Sequence, residues 1–240
     1  MRQACKLITD RPPRSRKTSE VESANRDFRG LLRPRKSVRE TAIAQVLEMN
    51  LSHPFERLAP STRRRALPGL IVLTLALTVA LQIVGRPLQT AAAPQGIVSF
   101  ELAGNLPAAQ AIIASWNSAA QLHAAFSLGL DYLYMPLYAV AIALACVQLA
   151  GSALRTPRRA WALGILLAWA LGMAALLDAV ENIALFELLL GSTSTAWPVV
   201  ARACATAKFV FVIGGLSYAG VGGIAYLIRR DRKVGQASRE

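Results

Sequence analysis

Four stretches of this chain, at 66–85, 122–150, 161–190 and 203–228, are each long and apolar enough to cross a bilayer, and nothing else in the sequence restricts its fold as strongly. A hydrocarbon core about 30 Å thick takes about 20 predominantly apolar residues in a helix. Ala66 to Gly85 supplies 20 residues without one charge, and Ala160 to Leu177 is equally free of charge. The expectation is an all-α integral membrane protein, with four transmembrane helices in an up-down bundle. A mean hydropathy of +0.38 and a hydrophobic content of 54% over 240 residues point the same way.

The flanking charges orient the spans. Arg63–Arg65, the Arg155–Arg159 connection and the Arg229–Lys233 segment fall on one side of the membrane if there are four spans. The other two connections carry only Arg86 and Arg202 as basic residues. The positive-inside rule then places both termini in the cytoplasm. The Ala/Leu/Arg-heavy composition suggests a bacterial inner membrane.

The net charge of +13 is concentrated at the N-terminus: residues 1–65 hold 16 of the 27 Lys/Arg and 7 of the 14 Asp/Glu. Beside membrane spans, such a basic tail reads as a contact for anionic lipid rather than for nucleic acid. Residues 1–65 are expected to form a largely disordered cytoplasmic tail. A capping box at Ser37–Glu40 introduces a short helix at 38–49, which is either a surface amphipathic helix or a marginal helix in the tail. Met49 is a second candidate start. Residues 66–230 form the transmembrane domain, and 231–240 a second basic cytoplasmic tail. Thr62–Leu67 faintly resembles a twin-arginine export signal, with Thr90–Ala93 imitating a cleavage site. The apolar run exceeds a signal core and Pro94 follows the site directly, so the reading is an uncleaved first span.

The longest connection, 86–121, is expected on the outer surface as a lid. Within it, 97–102 reads as a short strand or an interfacial segment. Asn105 caps a helix with Pro107 in its first turn, and Trp116 suits a membrane interface. Pro136 is expected to bend the second span and free the carbonyl of Tyr132. Gly191–Thr195 reads as a turn. Cys5, Cys146 and Cys204 have neither the number nor the spacing of a disulfide framework or zinc site.

Against this apolar background, Asp131, Asp178 and Lys208 stand out. An ionisable side chain inside a span is costly and faces protein or water, with a partner. Asp131 lies 19 residues from Ala150, Asp178 lies 17 from Trp161 and Lys208 lies 20 from Ile228. At about 1.5 Å per residue all three sit about 25–30 Å from the inner boundary, in the outer part of the bilayer. At about 100° per residue they also fall on faces rich in small residues. Ser127, Asp131, Tyr134 and Tyr138 share one stripe. Gly164, Ala168, Ala175, Asp178 and Asn182 share another, and Lys208, Gly215, Ala219 and Gly223 a third. Such faces allow close helix approach and a homo-oligomer or membrane partner. Glu181 points about a quarter-turn from the Asp178–Asn182 axis, within reach of the outer end of the cavity.

The candidate pocket is therefore Asp131, Tyr134, Tyr138, Asp178, Glu181, Asn182 and Lys208, with Lys208 expected to contact at least one aspartate. His123, Glu187 and Arg202 read as solvated interface residues. Two accounts of the cluster stand side by side. In one it is a structural ion pair that fixes helix register. In the other it is an outward-facing pocket for a small molecule or lipid head group. Membrane-embedded acid–base or metal-assisted chemistry by Asp131, Asp178 and Glu181 is an alternative, and a proton-coupled transporter subunit a further one. The sequence contains no His-Glu-x-x-His, Gly-x-Ser-x-Gly or Walker loop, so no metal and no cofactor is expected.

Overall fold

The computed structural model describes residues 52–152 and 158–237, and helix is the only regular structure among them. Six α-helices follow in order: α1 (Pro60–Gly85), α2 (Ile97–Glu101), α3 (Leu106–Ser115), α4 (Ser118–Ser152), α5 (Arg158–Leu189) and α6 (Ala196–Ala237). A 3-10 turn, Arg86–Leu88, extends α1. Four segments are long and apolar enough to cross a membrane: Pro60–Leu88, Ser118–Gly151, Arg158–Leu189 and Ala196–Ile228. The helix expected at 38–49, the rest of the tail before residue 52, and Arg155 lie outside the described residues.

The helices outrun the apolar stretches that announce them. Residues 60–65, expected in the tail, are the first turns of α1, and Pro60 fits there because an N-terminal helical position needs no N–H. α6 begins at Ala196 rather than 203 and continues to Ala237, through most of the expected 231–240 tail. The reason is physical: loss of apolarity marks where hydrocarbon ends, whereas a helix ends where its backbone bonds are capped. α5 stops at such a cap. Gly191, at φ +93°, takes the left-handed conformation, and the Ser192 N–H reaches back to the Glu187 carbonyl at 3.0 Å. α4 continues through Pro136.

α1 packs on α4, α4 on α5 and α5 on α6. Small residues set the approach of α5 to α6. The Tyr218 hydroxyl donates to the Ala160 carbonyl at 2.9 Å, in space where a Cβ on Gly164 would lie 2.6 Å from the same oxygen. Gly215 is similarly confined by Ile142 and Leu171. α1 differs from the other three long helices in burying no residue at all.

Residues 86–117 cap one end of the bundle. Their core is Leu88, Phe100, Ile112 and Trp116, packed on Leu185 and Leu188 of α5. Asn105 caps α3 as expected, its Oδ1 accepting from the Ala108 N–H at 2.9 Å. Of the two alternatives for 97–102 the strand is excluded, since residues 97–101 are helix. Trp116 is a buried anchor, 3% exposed. Its indole N–H donates to the Leu88 carbonyl at 2.9 Å, and its ring meets Phe100 edge-on at 5.4 Å. An indole that finds an internal acceptor has no need of the interface.

At the opposite end, the segment before α1 folds back on the bundle. Trp169 donates to the Ser52 carbonyl at 3.0 Å, and Gln148 to the Arg63 carbonyl at 2.9 Å. His53 Nε2 lies 2.8 Å from Arg63 Nη1 and Nδ1 lies 3.1 Å from the Phe55 N–H, both donors, and a neutral imidazole accepts at one of its two nitrogens. Burial, then the Arg63 charge, hold the His53 ring below its ordinary value of 6.5. The undocked ring therefore takes up a proton first, so this docking is intact above 6.5 and weakens as pH falls below it. Trp169 fluorescence is expected to change over that acid range and to lose the change in His53→Gln. Identical titrations of the two proteins would refute the coupling.

Candidate functional site

The periodicity of α5 builds the site. Asp178, Glu181 and Asn182 are three and four residues apart, so one helix face presents two carboxylates and an amide. α6 brings Lys208 to that face. Its ammonium lies 2.6 Å from Asp178 Oδ1 and 2.9 Å from Glu181 Oε1. Glu101, at the end of α2, brings Oε2 to 3.7 Å from the same nitrogen. Tyr138 of α4 donates to Asp178 Oδ2 at 2.9 Å, which leaves both oxygens of that carboxylate engaged. All five side chains are buried, Glu181 completely, at 0% exposure.

Asp131 belongs to the next shell outward. Its Oδ2 accepts from Asn182 Nδ2 at 2.8 Å, so an amide, not the ammonium, is its partner. The expected contact of Lys208 with an aspartate is thus made through Asp178. Tyr134 touches none of the charges. Its ring packs on Tyr138 at 5.2 Å and its hydroxyl lies 3.1 Å from Thr78 of α1. Glu181, expected a quarter-turn off the axis but within reach of the cavity, lies at the centre of the cluster, because the 101–208 side of α5 is as enclosed as the 131 side. His123 is exposed, and Arg202 lies across Gly104 in the cap.

The sequence reading missed Glu101. It lies outside the spans, on a helix of 5 residues, too short for periodicity to assign. One signal was available: Glu101 is the only charged residue between Arg86 and Asp131. Its arrival changes the charge balance. Three carboxyls surround one ammonium, and a fourth is one amide away. Oε2 of Glu101 and Oε2 of Glu181 are both buried without a hydrogen-bond partner. Burial pushes the Glu101 carboxyl above its ordinary range, against the pull of Lys208.

A cleft of about 1180 Å³ opens onto this cluster between α1, α4 and α6. Glu101, Ser127, Asp131, Asp178, Asn182 and Lys208 line its polar end. Leu75 and Val79 of α1, Ile142 of α4, and Val212 and Leu216 of α6 line its apolar length. Leu75, Val79 and Leu216 are themselves 60%, 57% and 52% exposed, so the apolar part is open at its rim. Among the described residues, no group of three or more His, Cys, Asp and Glu has the arrangement of a metal site. The arrangement offers instead a set of acceptors, in excess of the one cation that serves them among the described residues. The chain matches no protein-family model, no curated protein and no solved structure.

Proposed function

We propose that this is a multi-pass protein of a bacterial inner membrane whose cleft binds a small molecule or a lipid head group within the bilayer. The observation that carries the reading is the cleft itself: about 1180 Å³ with charged groups at its base. Drug-sized ligands occupy pockets of roughly 300–1,000 Å³. A cluster that served only to fix helix register needs no such space beside it. Mass spectrometry of small molecules and lipids that co-purify with the full chain tests this. A species held by the wild type is expected to be lost from Ala219→Trp, which fills the cleft from α6. The same co-purifying profile from both proteins would sink the reading.

The helices are read as an up-down bundle with both termini in the cytoplasm, which puts the 86–117 cap and the polar end of the cleft in the outer part of the bilayer. The support is the three basic clusters and the positive-inside rule. Reporter fusions near Gly104 and Thr195 are expected to give an extracytoplasmic signal, and fusions after Arg65, near Thr156 and at the C-terminus a cytoplasmic one. A cytoplasmic signal near Gly104 would reverse the orientation.

One observation favours an enzymatic reading as second choice. Asp178 is neutralised by Lys208 and Tyr138, whereas Asp131 faces the cleft with an amide alone. Two carboxyls in such different surroundings are what acid–base catalysis uses. The same lipid or metabolite would then accumulate in a deletion strain and in a strain carrying Asp131→Asn. Accumulation in neither would leave the cleft as a binding site only.

A further inference from the structure

Resting on the binding reading above, we infer that the ligand of the cleft is a cationic amphiphile: an ammonium head seated among Glu101, Asp131 and Asp178, with its alkyl tail along the groove between α1 and α6.

The head follows from charge. Among the described residues Glu101, Asp178 and Glu181 share one cation, Lys208, and Asp131 has an amide, Asn182, as its partner. Lys208 bonds directly to Asp178 and Glu181, at 2.6 and 2.9 Å, and so is already committed. At the polar end of the cleft the carboxylates Glu101, Asp131 and Asp178 outnumber the one buried ammonium, Lys208, and the Arg86 guanidinium stands exposed elsewhere on the lining. Glu101 is 8% exposed and lines the cleft, and its buried Oε2, without a hydrogen bond, has only the long 3.7 Å ion pair to Lys208. Asp131 lines it too, and among the described residues Asn182 alone donates to it. Buried acceptors of this kind are costly until a donor reaches them. A primary ammonium carries three N–H donors and a positive charge, so it satisfies both requirements at once. An anionic head would meet the same carboxylates as a repulsion.

The tail follows from the walls. Away from the carboxylates the lining turns apolar: Leu75, Val79, Ile142, Val212 and Leu216. The rim residues are exposed on the helix flanks that a bilayer would cover, and α1 buries nothing, so this wall is the least anchored part of the bundle. A molecule already dissolved in the membrane can enter sideways past α1 and place its charge inward, where the head leaves hydrocarbon for fixed acceptors. A small water-soluble cation would use the polar end alone and leave the apolar groove without purpose.

Equilibrium binding of radiolabelled dodecylammonium to the full chain in a non-ionic detergent tests the inference, with ethylammonium, dodecanol and dodecanoate as competitors. Saturable binding at one site is expected, with displacement by unlabelled dodecylammonium and by neither ethylammonium at matched concentration nor dodecanoate. Asp131→Asn is expected to weaken binding about tenfold or more, as loss of a charged hydrogen bond does. Leu216→Trp, at the exposed rim, should weaken dodecylammonium while leaving any weak ethylammonium binding as it was. The competitor panel on the wild type decides the matter even if a variant fails to fold. Equal displacement by ethylammonium would overturn the amphiphile and leave the small-molecule pocket standing. Equal displacement by dodecanol or dodecanoate would overturn the charge selection. Absence of saturable binding would overturn the whole inference, and the co-purification experiment would then judge the pocket separately.

Discussion

Lys208→Met is expected to be among the most damaging single substitutions in this protein. Among the described residues the ammonium is the one positive charge touching three buried carboxyls, at 2.6, 2.9 and 3.7 Å. Breaking a buried ion pair by deleting one partner costs about 3–5 kcal/mol, because the survivor is left charged in a poor solvent. Protonation of the stranded carboxyls limits that cost but does not abolish it. A large fall in the unfolding midpoint in detergent, and in membrane abundance, is the expected result. Sequence alone would pair this change with Asp178→Asn to restore balance. The structure revises that remedy: Glu181 is equally close to the ammonium, so Lys208→Met with Asp178→Asn still strands a fully buried acid. Recovery is expected only when Glu181→Gln and Glu101→Gln are added, since all three amides keep their shape and shed the charge. A Lys208→Met protein that melts with the wild type would mean that the ammonium has no structural role.

The difference between the two remedies shows which parts of this fold are legible in sequence. Length and charge are one-dimensional properties, and they located the four long helices because hydrocarbon imposes a length on each span. Depth is also one-dimensional within a helix. Counting residues from the basic ends therefore brought Asp178 and Lys208 to one level, where they do meet. Rotation about the axis was less secure. A face drawn at about 100° per residue placed Glu181 to one side, yet α5 is enclosed over a wide arc that takes in Asp178, Glu181 and Asn182 together. Connections were the least legible. Glu101 reaches the cluster because residues 86–117 fold as a cap over the end of the bundle. No periodicity in a helix of 5 residues announces that return. Of the cleft the sequence shows only the polarity, because its existence depends on how far α1 stands from α6.

The cap gives the second large effect. Trp116→Ala removes a side chain that is 3% exposed and strands the Leu88 carbonyl it caps at 2.9 Å. Truncations of this size cost about 3–5 kcal/mol, and an acceptor left without its donor about 1–3 kcal/mol. Trp116→Phe should keep much of the packing and lose only the hydrogen bond, so its melting midpoint is expected between those of the wild type and the alanine variant. The consequence reaches the candidate site through α2. Phe100, edge-on to Trp116, and Glu101, beside Lys208, are adjacent residues of one short helix, so a looser Phe100 gives a looser Glu101. A double-mutant cycle of Trp116→Ala with Glu101→Gln measures the link. If the cap holds Glu101 in place, the second change should cost less once the first is made, with a coupling of about 0.5–3 kcal/mol. Strict additivity would mean that the cap and the charge cluster are held independently, and that Glu101 keeps its place through Lys208 alone.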